Sequence, residues 1–235
     1  MALSDFTGPD YIDAWTKDLD RRWPERSAMV DCVVRTLGGW QDERRERDLR
    51  LRDLRQAGSR EKKRHAVIRL LELGVGAGGL AEAVLDALAD ASGEGSPDAV
   101  EYTGIDIEPA LVSHGQERLM AAGHQDAHLI RANLKDGNWI CGNGPFDAVF
   151  TLQTFHDLGG VEALETVYRQ THGLLAPGGI LVNADFVVPF EKDDPERPRR
   201  LPVETHQDLL SSLGYVDFRC ELLQGKMACM SARRP

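Results

Sequence analysis

Apolar positions change their spacing part-way along this chain. Between Asp10 and Gln56 they recur at three- and four-residue steps, first Tyr11, Ile12, Trp15 and Leu19, then Met29, Val33 and Leu37, which is the period of an amphipathic helix. Trp23-Pro24-Glu25-Arg26 predicts a break with Pro24 at a first helical position, so two helices are expected, and Gly38-Gly39 punctuates the second. After His65, short apolar runs alternate with amphipathic segments of helical length, the pattern of βαβ units on a parallel sheet. Strands are expected at Val67–Leu73, Glu101–Ile105, His128–Ala132, Phe146–Leu152 and Gly179–Val187, with helices near Leu80–Ala91, Pro109–Ala122 and Val161–Leu175. Thr205–Leu213 reads as a last helix, followed by Tyr215–Leu222 and Lys226–Ala232 as a hairpin across Leu223-Gln224-Gly225. A hairpin turns the last strand antiparallel to its neighbour. The expected fold class is therefore α/β: a doubly wound, seven-stranded, mostly parallel sheet with an antiparallel last strand, preceded by an N-terminal helical extension.

A length of 235 residues suits one such domain with a modest addition. Residues 1–64 are expected to form the extension, with 65–235 as the main domain. A net charge of −10 disfavours a surface that tracks nucleic acid and leans towards a small-molecule partner. The cysteines, Cys32, Cys141, Cys220 and Cys229, form no C-x-x-C pair, so neither a zinc cluster nor a disulfide framework is indicated. No basic start leads into an apolar stretch, and no apolar run approaches the roughly 20 residues a membrane helix needs. A cytoplasmic protein with reduced thiols and no membrane partner is expected. The stretch from Gln41 to Arg64, with Arg44, Arg45, Arg47, Arg50, Arg52, Arg55, Arg60, Lys62, Lys63 and Arg64, has acids interleaved throughout. That mixture favours a solvated helix with i,i+4 pairs over a cationic rim for an anionic substrate.

The motif Leu71-Glu72-Leu73-Gly74-Val75-Gly76-Ala77-Gly78-Gly79-Leu80 lies where a buried strand turns into a helix. Such a turn bends tightly and lets a ligand approach the backbone, and it serves NAD, FAD, nucleotides or S-adenosylmethionine alike. The following strand ends in Gly104-Ile105-Asp106-Ile107-Glu108-Pro109, which places the Asp106 carboxylate beside the loop, where it can accept both hydroxyls of a ribose. Capping of the next helix is the plainer use of Asp106. A dehydrogenase competes for these features, because Gly79 also completes a G-x-G-x-x-G pattern.

From Val67 to Arg233 the order of motifs resembles the class I (Rossmann-like) S-adenosylmethionine-dependent methyltransferases of small-molecule type. In that family the acid and glycines similar to Glu72, Gly74, Gly76 and Gly78 line the amino-acid part of the cofactor, and Asp106 corresponds to the ribose-binding acid. The resemblance implies adenine contacts from Ala132-Asn133-Leu134, where Asn133 replaces a common acid, and adds Ile107 and Thr151 to the cofactor set. Phe146–Leu152 with Gln153-Thr-Phe-His156-Asp157, and Leu174-Leu-Ala-Pro-Gly178-Gly179, are similar to the family's fourth-strand motif and its turn into the fifth strand.

Methyl transfer needs an aligned acceptor, exclusion of water and, where the acceptor does not ionise by itself, a base. His156 is the candidate base and Asp157 the neighbour that orients it or a substrate amine, giving a catalytic pair of His156 and Asp157. Walling the pocket or capping a helix is the plainer use of His156. Asp185, at the end of the fifth strand, is a further residue that can face substrate, and with Asp157 alone it is too few ligands for a metal. Phe155, Phe186 and Trp139 are candidates for an apolar wall. The connection Val188–Glu204, broken by Pro189, Pro195, Pro198 and Pro202, is too short for a helical lid. The N-terminal helices, with Tyr11, Trp15 and Trp40, are left to cover the pocket or to make a homodimer contact. The expected reaction is methyl transfer to an oxygen or nitrogen of a small-molecule, natural-product-like acceptor. RNA or protein methylation and a non-catalytic, cofactor-binding regulatory subunit are the alternatives. The absence of Asn/Asp-Pro-Pro-aromatic after the fourth strand weighs against nucleic acid.

Overall fold

A computed structural model describes residues 9–55, 67–90, 99–137, 139 and 144–235. Helices α1 (Pro9–Arg22) and α2 (Glu25–Arg55) precede β1 (Ile68–Leu73), α3 (Gly79–Asp90), β2 (Val100–Asp106), α4 (Pro109–Ala121) and β3 (His128–Arg131). Then follow β4 (Phe146–Leu152), α5 (Val161–Leu174), β5 (Leu175–Phe186), α6 (Val203–Ser212), β6 (Val216–Gln224) and β7 (Met227–Arg233). The seven strands form one sheet in the order β3-β2-β1-β4-β5-β7-β6, and β7 pairs antiparallel with both β5 and β6. Its reversal sits at Gly225-Lys226, slightly later than the sequence suggests, with Gly225 at φ 57°.

Strand alternation sorts the core into two layers. Ile68, Leu70, Ala148, Phe150, Val182 and Ala184 pack towards α2, α3 and α4, while Leu71, Leu73, Val149 and Leu181 pack towards α5 and α6. The order reverses at β1, whose neighbours β2 and β4 lead to opposite halves of the sheet. In an open α/β sheet such a point carries the ligand crevice at the strands' carboxyl ends.

One expectation needs correction. Gly38-Gly39 does not punctuate α2, which runs through both glycines. Met29, Cys32, Val33, Leu37 and Trp40 bury one face of α2 in the same core as the strands, and this burial outweighs the roughly 1 kcal/mol that each glycine costs a helix. Nothing lies within 4 Å of a Cβ added at either glycine. Gly38→Ala/Gly39→Ala is therefore expected to stabilise the fold by about 1–2 kcal/mol, read as a higher denaturant midpoint at unchanged slope.

The charged half of α2 is largely solvated in its described part, with Arg44 turned in towards β4. Arg44 pairs with Asp147 at 2.8 Å and Arg50 with Glu46 at 3.1 Å, in keeping with a helix laced by ion pairs. Arg60, Lys62, Lys63, Arg64, His65 and Cys141 lie outside the described residues, as do the side chains of Arg52 and Arg55.

Candidate active site

The carboxyl ends of β1, β2 and β4 open into a cavity of about 500 Å³. Gly74, at φ 74°, turns the chain out of β1, and a Cβ there would collide with the Thr154 hydroxyl. The Gly76 amide donates to Asp106 Oδ2 at 2.8 Å and the Glu108 amide to Oδ1 at 3.0 Å, so the carboxylate fixes the glycine loop against the end of β2. Each carboxylate oxygen keeps a second lone pair for a ligand. Burial raises the Asp106 pKa against these two amide bonds. Ile107, Asn133 and Leu134 line the same end. The Asn133 side chain is engaged in a local turn, accepting from the Lys135 amide at 3.1 Å and donating to Asp136.

Glu72 is 1% exposed and its Oε2 accepts the Tyr102 hydroxyl at 2.6 Å. Burial pushes its pKa from 4.5 to about 8, against the Tyr102 bond and with help from the Asp106 charge. A carboxyl held protonated by folding stabilises most below its unfolded pKa, and that contribution is lost as pH rises through the folded value. Between pH 5 and 9 Glu72 should thus cost the fold on the order of a few kcal/mol. Glu72→Gln is expected to widen its melting-temperature advantage over the wild type as pH rises across that range; a pH-independent difference would mean that Glu72 ionises normally.

At the other end, β4 leads into a 3-10 turn, Phe155–Asp157, that brings His156 against the end of β5. His156 Nδ1 lies 2.7 Å from Asp185 Oδ1, and the His156 amide donates to Oδ2 at 3.0 Å. The Phe186 amide also donates to Oδ1, at 2.7 Å. Asp185 is 1% exposed; burial pushes its pKa up, but the His156 charge and these bonds outweigh burial and hold it low. For His156 burial pulls the pKa down, and the Asp185 charge and hydrogen bond, with Asp157, raise it above 6.5. An ionised Asp185 facing Nδ1 places the ring proton there and leaves Nε2 as a basic lone pair. Asp157 is exposed: its Oδ2 lies 3.5 Å from Nε2, and its Oδ1 accepts from Arg199 at 2.6 Å. Behind the dyad Tyr168 joins His206 at 2.7 Å and Asn183 at 3.1 Å, and burial lowers the His206 pKa to about 4, which keeps it neutral.

Aromatic rings close this end. Phe186 meets His156 edge-on at 5.1 Å, and Trp23 stacks on Phe190 at 5.0 Å. Trp15, Thr16 and Leu19 of α1 also line the cavity, and Trp15 packs with Ile12 and Leu111 against Ala77 of the glycine loop. Gln153 lies between the two ends at φ 54°, donating its amide to Ala184 at 2.8 Å while its Oε1 accepts from Arg26 at 2.7 Å.

Several sequence candidates fall elsewhere. Thr151 is buried on the α5 side of β4, and its hydroxyl donates to the Leu73 carbonyl at 2.7 Å, so it braces two strands and meets no ligand. Gly78 serves packing: a Cβ there would stand 3.2 Å from Gly115 Cα on α4. Trp139 is buried with its Nε1 donating to Gln170 at 2.7 Å, and Phe155 packs against Tyr168 in the core. Trp40 is buried under the sheet and Tyr11 is exposed; of the three proposed lid residues only Trp15 lines the cavity. Arg26, Phe190 and Arg200 line the site without a local motif to announce them. Among the described residues no group of three or more His, Cys, Asp or Glu could hold a metal ion, and no helix is long and apolar enough to cross a membrane.

Residues 71–181 match the family described as methyltransferase domain. These residues therefore carry a methyltransferase domain. The chain is 31% identical over 132 residues to the highly reducing polyketide synthase stpks1 of Strobilurus tenacellus, covering 56% of this chain and 4% of that protein. Its fold is similar to the CurJ carbon methyltransferase (TM-score 0.58, 19% identity, 74% of this chain and 50% of that one). It is also similar to the trans-methyltransferase CalH in complex with SAH (TM-score 0.59, 20% identity, 73% and 52%). The citrinin polyketide synthase CMeT domain gives a TM-score of 0.59 at 18% identity, over 74% of this chain and 48% of that one. The methyltransferase thus spans about half the length of these solved chains and a small part of the synthase.

Proposed function

We propose that this methyltransferase transfers a methyl group to an acidic carbon of a small, polyketide-like 1,3-dicarbonyl acceptor, with His156 as base and Asp185 as its positioning partner. The observation that carries this reading is the buried His156–Asp185 pair at the acceptor end of the cavity. A regulatory subunit that only binds cofactor has no use for such a pair. The sequence alone pointed to oxygen or nitrogen as the acceptor atom; the carbon methyltransferases and polyketide synthases among the relatives move the reading to carbon.

The cavity suits the cofactor. Asp106 has lone pairs to spare for a ribose, Ile107 and Leu134 offer an apolar slot for adenine, and Gly76 leaves open space where a side chain would stand. Arg26 offers a cation to the amino-acid carboxylate. When bound, S-adenosylmethionine supplies a methyl on a positively charged sulfur and leaves as a neutral thioether. The protein's part is to deprotonate and align the acceptor. His156 Nε2 would take the proton from the carbon between the carbonyls, and the C–H electron pair would become the enolate whose carbon is the nucleophile for that methyl. Asp185 stabilises the imidazolium until the proton passes to solvent. Trp15 and Leu19 of α1 line the cavity from the glycine-loop side and help to exclude water, the lid role proposed here for the N-terminal helix.

Incubation with S-adenosylmethionine and the N-acetylcysteamine thioester of acetoacetate tests this. The expected product carries its methyl on the central carbon by NMR, at a rate that climbs with pH through a midpoint above 6.5, because the neutral imidazole is the active form. A methyl on oxygen would keep the base and overturn the carbon assignment. Cofactor binding without turnover on oxygen, nitrogen or carbon acceptors would favour the regulatory reading.

A further inference from the structure

The groups at the acceptor end divide unevenly between the steps just described. His156 and Asp185 handle the proton, and the Trp23, Phe186 and Phe190 rings form the wall, yet Arg200 lines the same cavity without a part in either. It is 8% exposed, among the most buried charged groups of the chain. Asp193 receives its NH1 at 2.6 Å, and Asp193 is itself held by the Phe190 amide at 2.7 Å. The guanidinium carbon stands 3.9 Å from the centre of the Phe190 ring and 5.7 Å from that of Phe186, the ring that also touches His156. One ion pair and one aromatic face thus fix the cation on the irregular segment 187–202. Its Nε–H has no partner among the described residues. Leaving such a donor unpaired costs about 1–3 kcal/mol, a cost that a purely structural arginine would avoid by pointing to water.

A prearranged cation is most useful where charge appears during the reaction. When a proton leaves the carbon of a 1,3-dicarbonyl compound, the negative charge settles on oxygen. Planar guanidinium suits that group better than ammonium, since it offers parallel donors to a planar, delocalised anion. Lys192 also lines the cavity, and Lys226 stands 4.9 Å from the Phe190 ring, so further cations gather at this end of a chain of net charge −10. The acids nearby are engaged, Asp193 by Arg200 itself, Asp185 by His156 and Asp157 by Arg199.

We infer that Arg200 is the acceptor-binding cation of this methyltransferase, holding the carbonyl oxygen of the acceptor and the negative charge that forms on it as His156 takes the proton. The inference rests on the methyl-transfer reading for its chemistry, but its binding site can be tested without turnover. The site should take a preformed enolate as a ligand in its own right.

The probe is dimedone, a cyclic 1,3-diketone that is ionised at neutral pH, titrated calorimetrically into protein saturated with S-adenosylhomocysteine. Cyclohexanone serves as the neutral control. Wild-type protein is expected to bind dimedone at least tenfold more tightly than cyclohexanone, a comparison that needs no variant. Arg200→Gln should lose at least tenfold in dimedone affinity with cyclohexanone unaffected, and Arg200→Lys should recover part of the loss. S-adenosylhomocysteine affinity, unchanged in both variants, separates loss of the cation from collapse of the site. Absence of dimedone binding by the wild type, or equal binding by Arg200→Gln, would overturn the assignment. Arg200-dependent dimedone binding in a protein that methylates nothing would keep the site and remove the proposed function. Carbon methylation that is indifferent to Arg200 would do the reverse.

Discussion

Asp185→Asn is expected to lower kcat by about 10³- to 10⁴-fold while S-adenosylhomocysteine affinity stays within about a factor of two. The amide is nearly isosteric, but the His156 and Phe186 backbone amides donate to different carboxylate oxygens, so its one oxygen can keep only one of these bonds. What it cannot do is offer a charged acceptor to Nδ1. If the amide NH₂ turns to the ring, Nδ1 becomes the acceptor and the proton moves to Nε2, where the basic lone pair is needed; if the oxygen turns to the ring, the tautomer is kept but the imidazolium loses its counter-charge. The pH profile distinguishes this from simple damage. Since the Asp185 charge and hydrogen bond raise the His156 pKa, the rising limb of residual activity should shift to lower pH in the variant. A double variant with His156→Ala should be no slower than His156→Ala alone, because the two residues act as one unit. Unchanged kcat with an unshifted limb would remove His156 and Asp185 from the chemistry.

Asp106→Ala is expected to weaken S-adenosylhomocysteine binding by at least about 100-fold, measured by calorimetry. Charge-assisted hydrogen bonds are worth about 1.5–3 kcal/mol each, and the carboxylate makes two kinds at once. It anchors Gly76 and Glu108 by their amides, and it offers its remaining lone pairs to the ribose. Asp106→Asn can keep one amide bond and one ribose contact, so an intermediate loss of about tenfold is expected. Equal loss in both variants would show that the charge matters more than the hydrogen bonds. Full retention in Ala would move nucleoside recognition away from β2.

The sheet was legible in the sequence because its strands announce themselves by local means. β4 falls at Phe146–Leu152 as expected, since an apolar run between polar turns is nearly sufficient for a central parallel strand. The glycine loop and Asp106 were legible for a related reason: a strand, a tight turn and a helix follow one another in the chain, and adjacent strands place the carboxylate beside them. The partner proposed for His156 was harder. Asp157 adjoins His156 in sequence, whereas Asp185 reaches it only because β4 and β5 are neighbours in the sheet, and sequence distance hides that juxtaposition. Thr151 misled through its side of the strand: a shift of one residue in β4 moves a side chain from one core layer to the other. Trp139 and Phe155 are core residues outside the strands, where no alternation tells which way a ring faces. Arg200, Phe190 and Arg26 sit in irregular segments or at a helix start, where no period says which way a side chain faces.

The cavity wall also divides along the chain in a way that bears on how the protein could change. The loop that bends towards cofactor, the ribose acid and the His156–Asp185 pair all lie between Leu73 and Phe186, within strands and turns of the central sheet. Trp15 and Leu19 come from α1, Trp23 from the turn after it, Arg26 from the start of α2, and Phe190, Lys192 and Arg200 from the segment that follows β5. The acceptor end thus draws much of its wall from one stretch that contributes nothing to the glycine loop. Recombining residues 187–202 with those of a relative would redraw what this end of the cavity admits while leaving the glycine loop and the His156–Asp185 pair as inherited, which makes this scaffold a modular starting point for diversification.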